Sequence, residues 1–252
     1  MIHYSVVVPL RDRGEEFRCQ LPQLITAFNR LRFEYEIICV DDGSDLATQR
    51  LLQQLLAEHA AMRLLRMDEP AGASVALSAG MSAARGDIVI AIEAGHQGAA
   101  EQIPHLIARL SRLDLVYAKK RLAGWAKFRH RIGRIPRAIL LGLEVRHPEN
   151  LLWAARREAI AGIHLSPGMR RYLPWMVARR GFRVGDMYVD DSPSSERPLS
   201  SVTTPDGSRH PMDLITAWWL CRRWRNDSYC EIEANDLATV ADGPQIYRAK
   251  SA

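Results

Sequence analysis

Five short apolar runs, each closed by a turn signal and separated from the next by a stretch of helical period, constrain the fold of this chain more than any other feature. They lie at residues 4–8, 36–40, 62–65, 87–92 and 113–118, with helical patterns at about 20–32, 46–59, 73–84 and 100–112 between them. A run too short for a helix and bounded by turn residues reads as a strand buried on both faces. Strands that alternate with helices through short connections build βαβ units, with right-handed crossovers and a parallel sheet. Pro104 falls near the first turn of the fourth helical pattern, where its missing N–H would be unpaired in any case. Past residue 118 the pattern predicts a short strand at 151–155, a helix at 169–180, a strand at 183–189, a Ser/Thr/Pro loop at 193–211 and a helix at 211–225.

The second run ends in Val40-Asp41-Asp42-Gly43-Ser44-Asp45. Ligands of open α/β sheets collect outside the carboxyl ends of the strands. Asp41 and Asp42 therefore stand where carboxylates would accept hydrogen bonds from a nucleotide's base and ribose. The same residues also read as a strand-to-helix turn, with Ser44 or Asp45 capping the helix.

Charge divides the chain in two. Residues 1–118 carry 11 basic and 15 acidic side chains, while residues 119–252 carry 23 and 14, giving net −4 and +9. The basic half points to an anionic partner such as a phosphate, an acidic membrane surface or a nucleic acid. Nucleic acid ranks last, because the chain has neither zinc-knuckle spacing nor an RNP-type aromatic motif. Cys19, Cys39, Cys221 and Cys230 show no metal-type spacing and read as scattered buried thiols in a reducing compartment. No apolar run approaches the roughly 18 residues of a membrane span. The start reads as a strand rather than a signal peptide. A cytoplasmic location follows, with peripheral attachment to a membrane as the variant that the basic half suggests.

Four segments in this order carry a resemblance to a known family: Ser5-Val6-Val7-Val8-Pro9, Tyr35 through Ser44, Gly72 through Gly80, and Ala83 through Ile90. Together they resemble the family 2 glycosyltransferases, and among these the polyprenyl-phosphate and dolichol-phosphate sugar transferases. Arg197-Pro198 and Asp213-Leu214 look like remnants of later motifs. The resemblance implies a GT-A-like fold, a three-layer α/β/α arrangement around a mainly parallel sheet. It also implies a nucleoside-diphosphate sugar as donor and a divalent metal, Mg or Mn. It places the nucleotide site at Pro9, Asp12, Asp41, Asp42, Gly72 and Ala94. With no internal repeat or compositional linker, residues 1–230 read as one domain, a nucleotide-binding half at 1–118 and a basic acceptor half at 119–230, followed by a tail at 231–252.

The departures from the family pattern are as informative. Where the fourth strand should run into Asp-x-Asp, the chain has Glu93-Ala94-Gly95-His96-Gln97. A metal on a diphosphate is tethered through hard carboxylate oxygens, and its charge is worth several kcal/mol to the leaving group. Glu93 is the surviving acid, and Gly95 supplies no ligand. His96 is either a loop histidine or a substitute ligand. An aspartate restored at position 95 should raise metal affinity if the loop keeps the family geometry. The later aspartates are also gone from the segment Glu149 to Arg156, leaving Glu149 as the nearest acid for general-base work. A phosphate acceptor is already ionised and needs no such base.

Residues 119–137 hold eight cationic side chains and no acid. Lys120 and Arg121, with Arg156 and Arg197, are the candidates for acceptor and diphosphate oxygens. Alternatively the stretch lies on anionic lipid, each cation adding about 1 kcal/mol, or forms a solvated helix face. Trp218, Trp219 and Trp224 beside Arg222, Arg223 and Arg225 fit an interfacial helix or one docked on the sheet. The expected activity is transfer of a sugar from a nucleoside-diphosphate donor to an acceptor, a polyprenyl phosphate among the candidates. The rival is a catalytically degenerate member that binds nucleotide, glycan or a partner protein without turnover.

Overall fold

The structure is a computed structural model that describes residues 2–96, 98–120, 152–189 and 247–248. β1 (Tyr4–Leu10), β2 (Tyr35–Asp41), β3 (Met62–Arg66) and β4 (Ile88–Ile92) are joined by α1 (Gly14–Leu31), α2 (Leu46–Glu58) and α3 (Ala73–Ala83). α4 (Ala99–Arg109) leads to β5 (Leu115–Lys120). There follow β6 (Leu152–Arg156), the single turn α5 (Arg157–Ile160), a 3₁₀ turn at Met169–Tyr172, α6 (Leu173–Arg179), β7 (Val184–Val189) and β8 (Tyr247–Arg248).

The strands form one sheet in the order β7-β5-β6-β4-β1-β2-β3-β8. All pairs are parallel except those of β6, which runs against both β4 and β5. Side-chain alternation divides the core. Val6, Val8, Ile37 and Cys39 face α1, α2 and α4, while Val7, Ile38 and Val40 face α3 and, further along, α6. The fold is thus the three-layer α/β/α arrangement around a mainly parallel sheet that the resemblance implies. α3 lies close on β1 because Gly80 has no Cβ to strike the Val7 side chain.

Most expected strands lie within two residues of their observed bounds. α1 begins six residues early, at Gly14, and takes Pro22 into its interior. Pro104 is the sixth residue of α4 rather than in its first turn, so the helix gives up one main-chain bond there. The helix expected at 169–180 is a 3₁₀ turn followed by α6. Cys19 is exposed, contrary to expectation, and only Cys39 of the two described cysteines is buried. Two residues of the expected tail, Tyr247–Arg248, pair with β3. The Trp/Arg helix at 211–225, with Cys221 and Cys230, lies outside the described residues. Among the described residues, no helix is long and apolar enough to cross a membrane.

At the amino end of the strands, a buried carboxylate ties three of them to the α3–β4 turn. Glu36 Oε1 accepts the Ser5 hydroxyl at 2.6 Å and the Arg85 amide at 2.7 Å, and Oε2 accepts Arg63 Nη1 at 2.6 Å. Ser5 Oγ in turn accepts the amides of Arg85 and Gly86. With these groups paired, the turn is fixed away from the carboxyl ends where ligands bind.

Candidate functional site

The carboxyl ends of β1 to β4 form one rim, knit by hydrogen bonds between successive loops. The Asp42 amide donates to the Leu10 carbonyl at 3.0 Å, and the Met67 amide to the Asp41 carbonyl at 2.9 Å. Asp12, with a left-handed φ of 53°, donates its amide to Ser44 Oγ at 3.0 Å, and its Oδ1 accepts the Asp45 amide at 2.8 Å. Asp tolerates this backbone region better than most residues. Arg13 Nη1 reaches the Ala94 carbonyl at 3.1 Å, linking the first loop to the fourth. Asp45 caps α2 by accepting the Thr48 amide at 2.8 Å, and that bond holds its carboxyl below the usual range. Of the two caps open from sequence, Asp45 fills the role.

Asp41 is turned inward. It closes β2, its side chain is wholly buried, Oδ1 accepts the Ser44 amide at 2.9 Å, and Oδ2 pairs with Arg66 Nε at 3.2 Å. The expectation of an open carboxylate at this position is not met: being the last strand residue, Asp41 turns into the sheet's packed face rather than up from the rim. Burial, with the Asp41 charge adding, pushes the neighbouring Cys39 thiol well up. Arg66 Nη2 is buried with no hydrogen-bond partner.

Asp42 is 3% exposed, and its carboxylate holds the next loop. Oδ1 accepts the Ala71 amide at 2.7 Å, and the Gly72 amide lies 3.1 and 3.0 Å from its two oxygens. Pro9, Gly72 and Ala94 are buried as well and shape the rim from within. Asp12 is the expected nucleotide residue that presents an open carboxylate, 46% exposed beside Arg11 at 3.8 Å.

Glu93 follows β4 directly, and residues 93–96 form a tight turn with the His96 amide on the Glu93 carbonyl at 3.1 Å. Gly95 has φ +77°, and a Cβ there would lie 2.9 Å from Glu16 Cβ on α1. The expectation for an aspartate at 95 rests on an unchanged loop, and here a side chain could enter only if α1 or the turn shifted. Among the described residues, no three His, Cys, Asp or Glu side chains gather as a metal cluster. Glu93 and the half-buried His96 are nevertheless on the rim, and one carboxylate plus substrate phosphates is a normal Mg²⁺ ligand set.

The cationic candidates separate. Lys119 and Lys120 end β5, which is parallel to β7 and, through β6, to β4, so they stand at the rim. Lys119 Nζ pairs with Asp186 at 3.5 Å and lies over the Tyr188 ring. Arg156 does not belong to the site. It pairs with Ile88, four residues before Ile92, and so lies at the opposite end of the sheet, about 13 Å away at strand rise. There it donates to the Leu110 carbonyl and, with Arg183, surrounds Asp114. The Arg183 hydrogen bond in particular holds the Asp114 carboxyl below its usual range. The reason for the error is direction: β6 is antiparallel, so its carboxyl end points away. Arg121, Glu149 and Arg197 lie outside the described residues, as does the Lys120 side chain.

Residues that the pattern did not single out include Gln20 and Arg66, both touching the rim. Gln20 had a legible signal, being a polar side chain among the buried positions 17, 21, 24 and 28 of an amphipathic helix.

The family described as Glycosyl transferase family 2 matches residues 5–164. An uncharacterized glycosyltransferase of Synechocystis sp. is 28% identical over 204 residues, 76% of this chain and 62% of that protein. An undecaprenyl-phosphate 4-deoxy-4-formamido-L-arabinose transferase of Pseudomonas fluorescens is 35% identical over 104 residues, 41% of this chain and 30% of the relative. The chain thus spans less than two thirds of either relative. Among solved structures, a Pyrobaculum calidifontis mannosyltransferase in complex with GDP-Man and Mn²⁺ superposes with TM-score 0.57 at 18% identity, covering 79% of this chain and 59% of that one. Glucosyl-3-phosphoglycerate synthase of Mycobacterium tuberculosis, in complex with Mn²⁺, UDP and glucosyl-3-phosphoglycerate, superposes with TM-score 0.58 at 20% identity, covering 90% of this chain and 82% of that one. These likenesses show the fold.

Proposed function

The chain belongs to glycosyl transferase family 2, and on that premise we propose that it transfers a sugar from a nucleoside-diphosphate donor to a polyprenyl-phosphate acceptor. The observation that carries this reading is the rim, where four loops at the carboxyl ends of parallel strands are bonded into one ledge with Glu93 at its end. Such ledges are where open α/β sheets take nucleotides. Asp12 offers the open carboxylate for the nucleoside, and Asp42 fixes the loop beside it. Glu93, with His96 near it, would tether a divalent cation whose remaining ligands come from the donor's diphosphate. Bound there, the cation would neutralise the departing nucleotide's charge.

The acceptor half of the proposal is supported by chemistry and by likeness. Leu152 pairs with Ile92 and Lys120 with Val189, so the segment from 121 to 151 leaves and rejoins the sheet at the rim. The cations of that segment, Arg121 among them, together with Arg197, suit an acceptor phosphate, and its charge suits an anionic membrane surface. The Pseudomonas relative is named for an undecaprenyl-phosphate acceptor. A phosphate nucleophile is ionised at neutral pH, so the scarcity of carboxylates near Glu149 does not disable it.

The test is titration with UDP, GDP and their sugars, with and without Mn²⁺, followed by donor hydrolysis and transfer to undecaprenyl phosphate in detergent. Mn²⁺-stimulated binding with hydrolysis and lipid-linked product is expected. Metal-indifferent nucleotide binding without turnover would overturn the catalytic reading in favour of a binding module.

A further inference from the structure

Gln20 is 5% exposed in the apolar face of α1, between Phe17, Leu21 and Leu24. A buried primary amide is costly unless its hydrogen bonds are made. Here they are made to one turn: Nε2 donates to the Glu93 carbonyl at 3.3 Å and the His96 carbonyl at 3.1 Å, and Oε1 accepts the Gly95 amide at 3.2 Å. Two carbonyls on one side and an N–H on the other define which end of the amide is which. Two neighbours add to this: Arg13, just before α1, donates to the Ala94 carbonyl, and Glu16 of α1 approaches so near that a Cβ at Gly95 would lie 2.9 Å from its own. The 93–96 turn is therefore held from one side, by α1 and the residue that precedes it.

Resting on the glycosyltransferase reading, we infer that Gln20 is a positioning residue for the cation site, acting through the main chain of the turn to aim the Glu93 carboxylate. Where the family's Asp-x-Asp offers two acids, this chain offers Glu93 alone, so the placement of that one carboxylate matters more. A leucine at position 20 would satisfy the apolar face equally well, so the amide is explained by the turn rather than by the core. Partners that orient a ligand without touching the metal commonly set its affinity.

The experiment compares wild type with Gln20→Leu and Gln20→Glu in the full chain. The glutamate variant keeps the acceptor for Gly95 and faces two carbonyl oxygens with a third oxygen. UDP and GDP affinities are measured by calorimetry without metal, Mn²⁺ affinity of each nucleotide complex by electron paramagnetic resonance, and kcat and KM for donor hydrolysis at saturating Mn²⁺. Metal-free nucleotide affinity should hold within about twofold, while Mn²⁺ affinity falls about tenfold or more and kcat falls at constant donor KM. Folded variants with wild-type Mn²⁺ affinity would overturn the inference, as would parallel loss of metal-free nucleotide affinity. Should the leucine variant fail to fold, the glutamate variant decides. A wild type that binds nucleotide yet ignores Mn²⁺ overturns this inference and leaves nucleotide binding standing; one that binds no nucleotide overturns both.

Discussion

Replacing Gly95 by Asp would rebuild the family's second acid in sequence, and the structure says that it will not rebuild a metal site. Gly95 sits at φ +77°, where an L side chain costs about 1 kcal/mol, with Asp at the mild end. The new Cβ would also stand 2.9 Å from Glu16 Cβ, with Glu16 Cγ at 3.3 Å. The obstacle is the root of a helical side chain rather than a flexible tip, so relief requires α1 or the turn to shift. Overpacking of this kind costs about 1–3 kcal/mol. The sum, about 2–4 kcal/mol, corresponds to a Tm lower by about 4–16 °C for a chain of this size. Differential scanning fluorimetry on Gly95→Asp and Gly95→Ala separates charge from shape, and the alanine variant should lose nearly as much as the aspartate. Glu16→Ala added to Gly95→Asp removes the Cγ and the charge but not the Cβ, and should recover only part of the loss. A Gly95→Asp protein that melts with wild type and binds Mn²⁺ more tightly would refute the steric argument outright.

Three further outcomes follow from the same geometry. Asp42→Ala frees the Ala71 and Gly72 amides from their acceptor, so it should lose about 1–3 kcal/mol of stability in urea unfolding as well as nucleotide affinity; undiminished stability would mean that the carboxylate does not hold the loop. Glu36→Leu leaves Arg63 and Ser5 without their acceptor and should cost about 2–4 kcal/mol while donor KM stays near wild type; a KM rise exceeding the stability loss would place that network in the site. Asp114 has its carboxyl held down by Arg183, so the stability it confers is present above the usual carboxylate range and lost as pH falls through its lowered value. Asp114→Asn should therefore flatten the acid limb of a stability–pH profile, and an unchanged limb would remove the ion pair from acid denaturation.

Strand and helix order was legible because it depends on local period, and five buried runs leave little choice. Strand position was not. Nothing in residues 152–156 announces that they insert antiparallel between β4 and β5, since apolar content is the same for either direction. That ambiguity misplaced Arg156. The two acids of the second run illustrate a finer limit: sequence marks the end of the strand, yet one residue of register sends Asp41 inward to Arg66 and Asp42 to the Ala71–Gly72 turn. The degenerate acid motif was visible in the letters, while its mechanical cause was not. It took the close approach of Glu16 to position 95, across 79 residues of sequence, to show that a side chain there has little room.

Because β6 runs against both neighbours, the polypeptide departs from β5 and comes back into β6 on the same side of the sheet. The pairs Tyr117 with Trp153 and Ile92 with Leu152 pin both junctions. Both junctions stand at the rim, and the ladders of β5 and β6 are made by residues outside the stretch between 120 and 152. On the function proposed above, that stretch can therefore change in length or composition without disturbing the strands that carry Asp42 and Glu93.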